Sequence, residues 1–164
     1  MEAVRETENT QSTKGGPNPG LLRPPIIFLG SILLGIALNW AWPLHFIPLR
    51  VRLVGPLVTA CAVALFLLSY MEFRAAGTSV RGSTRSTTIV RTGPYRFSRN
   101  PIYLAFILFV LGLSVWLNNA WLPVTLVPAV GVMAMIVIRR EERFLESNFK
   151  EDYLRYKATV RRWL

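Results

Sequence analysis

Apolar positions along this 164-residue chain fall into long unbroken runs rather than alternating with polar ones. Between Arg23 and Arg50 lie 26 residues without Asp, Glu, Lys or Arg; Leu53 to Met71 is a second such run of 19, and Asn100 to Ile138 a third of 39. About 20 apolar residues let a helix cross roughly 30 Å of hydrocarbon, so the third run has room for two crossings. Its middle carries Asn118-Asn119 between Trp116 and Trp121, a polar turn flanked by aromatics of the kind that sit at a membrane interface. The pattern predicts four transmembrane helices near 25–45, 53–72, 101–117 and 121–138. A soluble all-helical core is the competing reading, and an uncharged run of 39 residues argues against it.

Beyond the fourth run the pattern changes. Leu145, Phe149, Tyr153, Tyr156 and Val160 recur at gaps of three and four, with Lys and Arg on the remaining faces. That periodicity predicts an amphipathic helix near 141–162, lying on the membrane surface and anchored at its end by Trp163. The expected fold class is therefore all-α: a polytopic membrane protein with four transmembrane helices and a C-terminal interfacial helix. Residues 1–22 mix Glu, Thr, Gly and Pro and read as a disordered tail. They lack the basic start and cleavage site of a secretory signal, so the first helix reads as a retained anchor. Residues 23–164 then form one membrane-embedded domain. The longest polar connection, 74–100, holds a loop, the β-branched stretch Thr87-Thr-Ile-Val90 and a turn at Thr92-Gly93-Pro94. A polar loop of that length in a small protein favours a functional role.

Charge orients the helices. The net charge is +10 although 52% of residues are hydrophobic. With four crossings the N-terminal tail, the 74–99 loop and the C-terminal segment share one side, and they hold seventeen of the nineteen Lys and Arg residues. Basic residues stay cytoplasmic, so both termini are expected inside, in an inner or plasma membrane such as that of a bacterium. All nine carboxylates lie on that side too. Topology and attraction to anionic headgroups account for most of the basic charge. No interleaving of basic and aromatic residues suggests a nucleic-acid surface, and nothing implies an obligate protein partner. One histidine, His45, and one cysteine, Cys61, give neither a metal site nor an internal disulfide.

Two polar clusters remain. Gly93-Pro-Tyr-Arg-Phe-Ser-Arg-Asn-Pro-Ile-Tyr103 leads into the third helix, and Glu141-Glu142 follows the fourth. A tight hairpin brings the inner ends of those helices together. Arg96 and Arg99 can grip a carboxylate or phosphate, Glu141 can accept from an ammonium or hydroxyl group, and Tyr95, Phe97 and Tyr103 offer ring faces to a cation. Pro101 suits the first turn of a helix, whose free N–H groups can receive an anion. The plainer reading is an interfacial belt of Tyr and Arg with Glu paired to Arg. On chemistry alone the two stand level.

The string Gly-Pro-Tyr-Arg-x-x-Arg-Asn-Pro-x-Tyr, followed by Glu-Glu-x-x-Leu and Phe-x-x-x-Tyr-x-x-Tyr, resembles the isoprenylcysteine carboxyl methyltransferase family, which is related to the phospholipid N-methyltransferases. The resemblance covers roughly 74–164; the first 73 residues match only as two membrane helices. It implies a small membrane methyltransferase using S-adenosylmethionine at the cytosolic face. By position it implies cofactor contacts from Thr87, Thr88, Ile89, Val90, Tyr95, Asn100, Pro101, Ile102, Tyr103 and Glu141. Arg99, Glu142 and Arg139 are the candidate catalytic residues. Two departures stand out. Asn100 replaces the histidine of the usual Arg-His-Pro-x-Tyr motif. The arginine that prenylcysteine methyltransferases carry about one turn before the acidic pair would fall near Val137, with Arg139 and Arg140 offset from it.

A sulfonium methyl donor needs no metal, only alignment and exclusion of water. A carboxylate acceptor would need no base, whereas an amine would have to lose its proton to a nearby carboxylate or water. The chain does not choose between them. The acceptor expected is a lipid-like or apolar small molecule entering from the bilayer. A phospholipid N-methyltransferase is the second reading, and an inactive scaffold or small transporter the third. Transport calls for buried polar groups in mid-membrane, and the predicted crossings offer only Asn39, Cys61 and a few Ser and Thr.

Overall fold

A computed structural model describes residues 24–45, 47–76 and 89–164. The expected tail at 1–22, and Thr87 and Thr88, lie outside the described residues. Within them the chain is helical, with no strand: α1 (Pro24–Ala41), a single turn α2 (Leu49–Arg52), α3 (Val54–Ala75), α4 (Pro101–Leu117), α5 (Trp121–Val132) and α6 (Arg139–Thr159). Three helical stretches, Pro24–Ala41, Leu49–Ala75 and Trp121–Thr159, are long and apolar enough to cross a membrane, and α4 is a shorter apolar helix. Only 17% of the residues in the α1 and α3 windows are buried. Leu29, Leu33, Trp40, Leu57 and Leu67 all face outward. So large an apolar surface is tolerable in hydrocarbon and not in water.

α3 packs along α4, α4 against α5, and α5 against α1. Small residues make these approaches close. A Cβ at Gly112 would stand 2.5 Å from Thr59 Oγ1, and one at Gly55 would run into the Trp116 backbone. Between α1 and α5, Thr125 Oγ1 donates to Ser31 O at 2.8 Å. Such contacts matter because lipid offers no hydrophobic drive for helix association. The core gathers Phe28, Tyr103, Val110, Leu122, Leu126, Met133, Val137 and Ile138.

The expected hairpin tip is present at Asn118-Asn119. Asn118 adopts the left-handed conformation (φ 52) that ends α4, one that asparagine tolerates better than most residues. Asn119 is buried rather than solvated. Its Nδ2 donates to Gly35 O at 3.2 Å, and its Oδ1 accepts from the Trp121 amide at 2.9 Å.

The C-terminal third departs from expectation. No separate interfacial helix begins at 141. α5 runs through a π-helical segment, Met133–Ile138, straight into α6, which ends at Thr159 and breaks helical geometry at Lys150. Pro128 has already removed one rung of the α5 ladder. The wider π turn shifts the facing of the residues after it: Val137 and Ile138, adjacent in sequence, are both buried, and Arg139 and Arg140 are both exposed. The periodic face of α6 covers protein. Tyr153 and Tyr156 are buried, and the Tyr156 hydroxyl donates to Tyr95 O at 2.7 Å. Residues 160–164 then fold back, and Trp163 packs against the core cluster.

Candidate active site

The site is built where α4 begins, where the π segment passes into α6, and where the chain end returns. Pro101 opens α4 and is fully buried, so the residues before it are held against the bundle. The turn Gly93–Arg96 sets their direction. Gly93 has φ +55, the left-handed conformation that favours glycine, and a Cβ there would press on the Glu72 side chain. Glu72, near the C-terminal end of α3, accepts from Thr92 Oγ1, which ties the turn to that helix.

The two clusters meet. The Tyr103 hydroxyl donates to both carboxylate oxygens of Glu141, at 2.8 and 2.9 Å. One position further on, Glu142 faces elsewhere. Arg99 Nη1 lies 3.0 Å from its Oε1, and Arg162 grips it bidentately, Nη2 at 2.6 Å from Oε2 and Nε at 3.0 Å from Oε1. The Arg99 and Glu142 side chains are each only 10% exposed. Arg99 Nη1 also reaches the Tyr153 hydroxyl at 3.4 Å, while its buried Nε has no hydrogen-bond partner among the described residues. The bonds to Glu142 hold the Arg162 guanidinium above its ordinary value, with burial pulling the other way, so it stays charged. Burial pushes the Tyr95 phenol far above the usual tyrosine value, and the neighbouring Tyr156, Glu141 and Glu72 add to the shift. Tyr95 is therefore a neutral group at any physiological pH, able to donate a hydrogen bond and unsuited to act as a base.

The chain end completes the site. Arg99 N donates to Arg161 O at 3.0 Å, and Asn100 Nδ2 and Ser98 Oγ each lie 3.2 Å from Arg162 O. Asn100 stands at the N-cap position of α4 but makes no side-chain cap; its amide holds the returning segment instead. Replacing Asn100 with leucine should loosen that segment, speeding exchange of the Arg99 amide proton roughly tenfold for one lost hydrogen bond. Histidine, which keeps a donor, should preserve protection. Unchanged exchange in the leucine variant would remove Asn100 from this role.

Of the sequence-predicted positions, Tyr95, Arg99, Asn100, Pro101, Tyr103, Glu141 and Glu142 come together. Val90 is buried, Ile89 half-buried, and Ile102 packs on the core. Arg139 is exposed and joins no hydrogen bond or ion pair among the described residues. Arg96 is also exposed, apart from Arg99. Val137, where a family arginine would fall, lies in the core. Arg162, Ser98, Tyr153 and Glu72 were not anticipated. Arg162 sits in a run of basic residues, and only the chain reversal after Thr159 distinguishes it.

Polar groups gathered at one end of outward-apolar helices define an integral membrane protein with a built site at its helix ends. A model of the phospholipid methyltransferase family matches residues 51–152, and the chain belongs to that family of membrane methyltransferases. Among its relatives, an uncharacterized protein of Haemophilus influenzae is 45% identical over 65 residues, 38% of this chain and 100% of the other. The cobalt-zinc-cadmium resistance protein CzcN of Cupriavidus metallidurans is 37% identical over 67 residues, 41% of this chain and 31% of that protein. The protein-S-isoprenylcysteine O-methyltransferase of Saccharomyces cerevisiae is 36% identical over 75 residues, 44% of this chain and 30% of the yeast protein. The match thus spans about a third of these two named relatives. No solved structure matches.

Proposed function

We propose that the protein transfers a methyl group from S-adenosylmethionine to a lipid-like or apolar acceptor, a carboxylate or an amine, at the cytoplasmic face of the membrane. The observation that carries this reading is the juxtaposition of Tyr103 and Glu141 beside the Arg99–Glu142 pair, inside the stretch matched by the family. The residues suit a zwitterionic donor. Glu141 accepts hydrogen bonds, as an ammonium or ribose hydroxyl requires, and the orphaned Nε–H of Arg99 calls for an acceptor such as a carboxylate. Ile89, Val90, Tyr95, Asn100, Pro101 and Ile102 would line the same space, with Thr87 and Thr88 preceding them. S-adenosylmethionine would supply an electrophilic methyl on a sulfonium that leaves as a neutral thioether. The protein's part is to align and dry the site: Tyr95 and Tyr103 are buried, and the turn at Gly93 and the chain end hold the walls. An amine acceptor would pass its proton to a carboxylate, Glu141 being the one at hand; a carboxylate acceptor needs no such help. A phospholipid amine is the second reading, favoured by the description of the matching family.

Purified protein in lipid, given methyl-labelled S-adenosylmethionine and a membrane lipid extract, should yield a labelled apolar product. Folded protein that binds the donor and labels nothing across such extracts would overturn the enzyme reading. Glu141→Gln should weaken donor binding by about 1.5–3 kcal/mol, roughly ten- to a hundredfold, with folding intact. Calorimetry decides it, and unchanged affinity would take Glu141 out of the site. In this reading α4 also crosses, as the third of four spans, and both termini are cytoplasmic, with the interfacial surface formed by α6. A reporter inserted at Asn118-Asn119 should then be external, and one at the C-terminus cytoplasmic. A cytoplasmic tip reporter would exclude the four-span topology.

A further inference from the structure

Beside the Tyr103–Glu141 site lies a second polar feature that methyl transfer does not use. An open pocket of about 290 Å³ is lined by Arg91, Arg96, Arg155, Tyr156, Thr159 and Val160. Its size is at the lower edge of small-molecule sites. Three of the six described residues that line it are arginines, brought from two separate segments, and none of the six is a carboxylate. Each guanidinium carries five N–H donors and no acceptor. Few of those donors are spent. Arg91 Nη2 donates to Asp152 O at 2.8 Å, which fixes that arginine in place, and faces Asp152 Oδ1 at 3.7 Å across solvent. Arg155 meets Glu151 only at 3.8 Å, with both side chains more than three-quarters exposed. Arg96 makes no side-chain bond among the described residues. Arg99 and Arg162 differ, since both are held in close ion pairs by Glu142. Tyr156 is tied by its hydroxyl to Tyr95 O, so its ring is a fixed wall shared with the neighbouring site.

We propose that this pocket is a phosphate-binding site. Converging planar forks around a concavity suit a tetrahedral oxyanion, which accepts several N–H bonds at once, better than they suit a planar or singly charged group. The phosphate belongs either to a phospholipid headgroup or to a soluble phosphate compound; the chemistry at the three arginines is the same. The site is distinct from the methyl-donor contacts, and it stands whether or not the protein methylates a lipid.

The test uses the full chain purified in a neutral, phosphate-free detergent and titrated by calorimetry. The probes are inorganic phosphate, dioctanoyl phosphatidic acid, and dioctanoylglycerol as the lipid without phosphate. At least one phosphate-bearing probe should bind, and dioctanoylglycerol should not. Binding of phosphatidic acid alone identifies a headgroup site, and binding of inorganic phosphate identifies a site for soluble phosphate. Arg96→Gln, at an exposed position with no structural bond to lose, should weaken binding roughly tenfold. Arg91→Gln with Arg96→Gln should weaken it further. Arg140→Gln with Arg143→Gln removes the same charge outside the pocket and should have little effect. Equal losses in the two double variants would mean diffuse attraction to a basic surface and would overturn the proposal. So would failure of both phosphate probes to bind at millimolar concentration, or binding of dioctanoylglycerol as tight as that of phosphatidic acid.

Discussion

Glu142→Leu should cost about 3–5 kcal/mol of stability, a large share of the net stability of a domain of this size. The carboxylate is bound by two guanidiniums, Arg99 at 3.0 Å and Arg162 at 2.6 Å. Removing it strands the Arg99 charge at a position only 10% exposed, where water cannot replace the lost partner. Arg162, one-third exposed, recovers part of its loss from solvent. Glu142→Gln keeps the shape and some hydrogen bonding, so its cost should be smaller. The informative partner is Arg99→Met. Replacing both charges with apolar side chains of similar bulk should be much less harmful than Glu142→Leu alone, because the ion then left without its partner is Arg162, which is one-third exposed and reaches water. Denaturant titrations of the parent, the three single variants and the double variant in detergent measure this directly. If Glu142→Leu is as stable as the parent, or if the two losses simply add, the buried pair is not what joins α6 to the start of α4.

Gly112→Leu should separate α3 from α4. A Cβ at Gly112 meets Thr59 Oγ1 at 2.5 Å, Thr59 N at 2.8 Å and Gly55 O at 3.1 Å, and two of those atoms are backbone that cannot rotate away. Even alanine forces the helices apart, at about 1–3 kcal/mol, and leucine goes beyond that range. The effect should reach the site, because the Gly93 turn is anchored on Glu72 near the C-terminal end of α3 while Asn100 and Pro101 start α4. Gly30 provides the control: a Cβ there meets nothing within 4 Å. Gly30→Ala should therefore be neutral or slightly stabilising in helix propensity. Thermal unfolding in detergent compares the variants. Equal midpoints for Gly30→Ala and Gly112→Leu would mean that α3 and α4 do not approach as closely as described.

How far the chain could be read depended on the range of the interaction. The apolar runs, the Asn118-Asn119 turn and the start of α4 at Pro101 come from local rules: a run too apolar for water, a residue that tolerates left-handed geometry, a proline suited to a first turn. These needed no knowledge of neighbours, and α4 spans 101–117 as its pattern indicates. The spatial meeting of Tyr103 with Glu141 was also legible in outline, since a tight hairpin brings the inner ends of its two arms together.

The arrangement beyond Ile138 was not legible. Periodicity in α6 marks one face to be covered but does not say by what, a membrane surface or the protein's own 95–99 segment; Tyr153 and Tyr156 cover the protein. Facing across the π segment depends on an extra residue in a turn, which hydrophobic pattern does not register. Glu141 and Glu142, neighbours on the following helix and so about 100° apart around it, serve separate networks in space. Arg99 and Arg96 look alike along the chain, three residues apart, yet one is buried in an ion-pair network and the other lines an open pocket. The sequence by itself determined the membrane class, the helices and the residue types available to the site. Tertiary structure alone decided which charges are spent on each other and which remain for a ligand, because burial and the return of Arg162 are set by contacts between residues far apart in the chain.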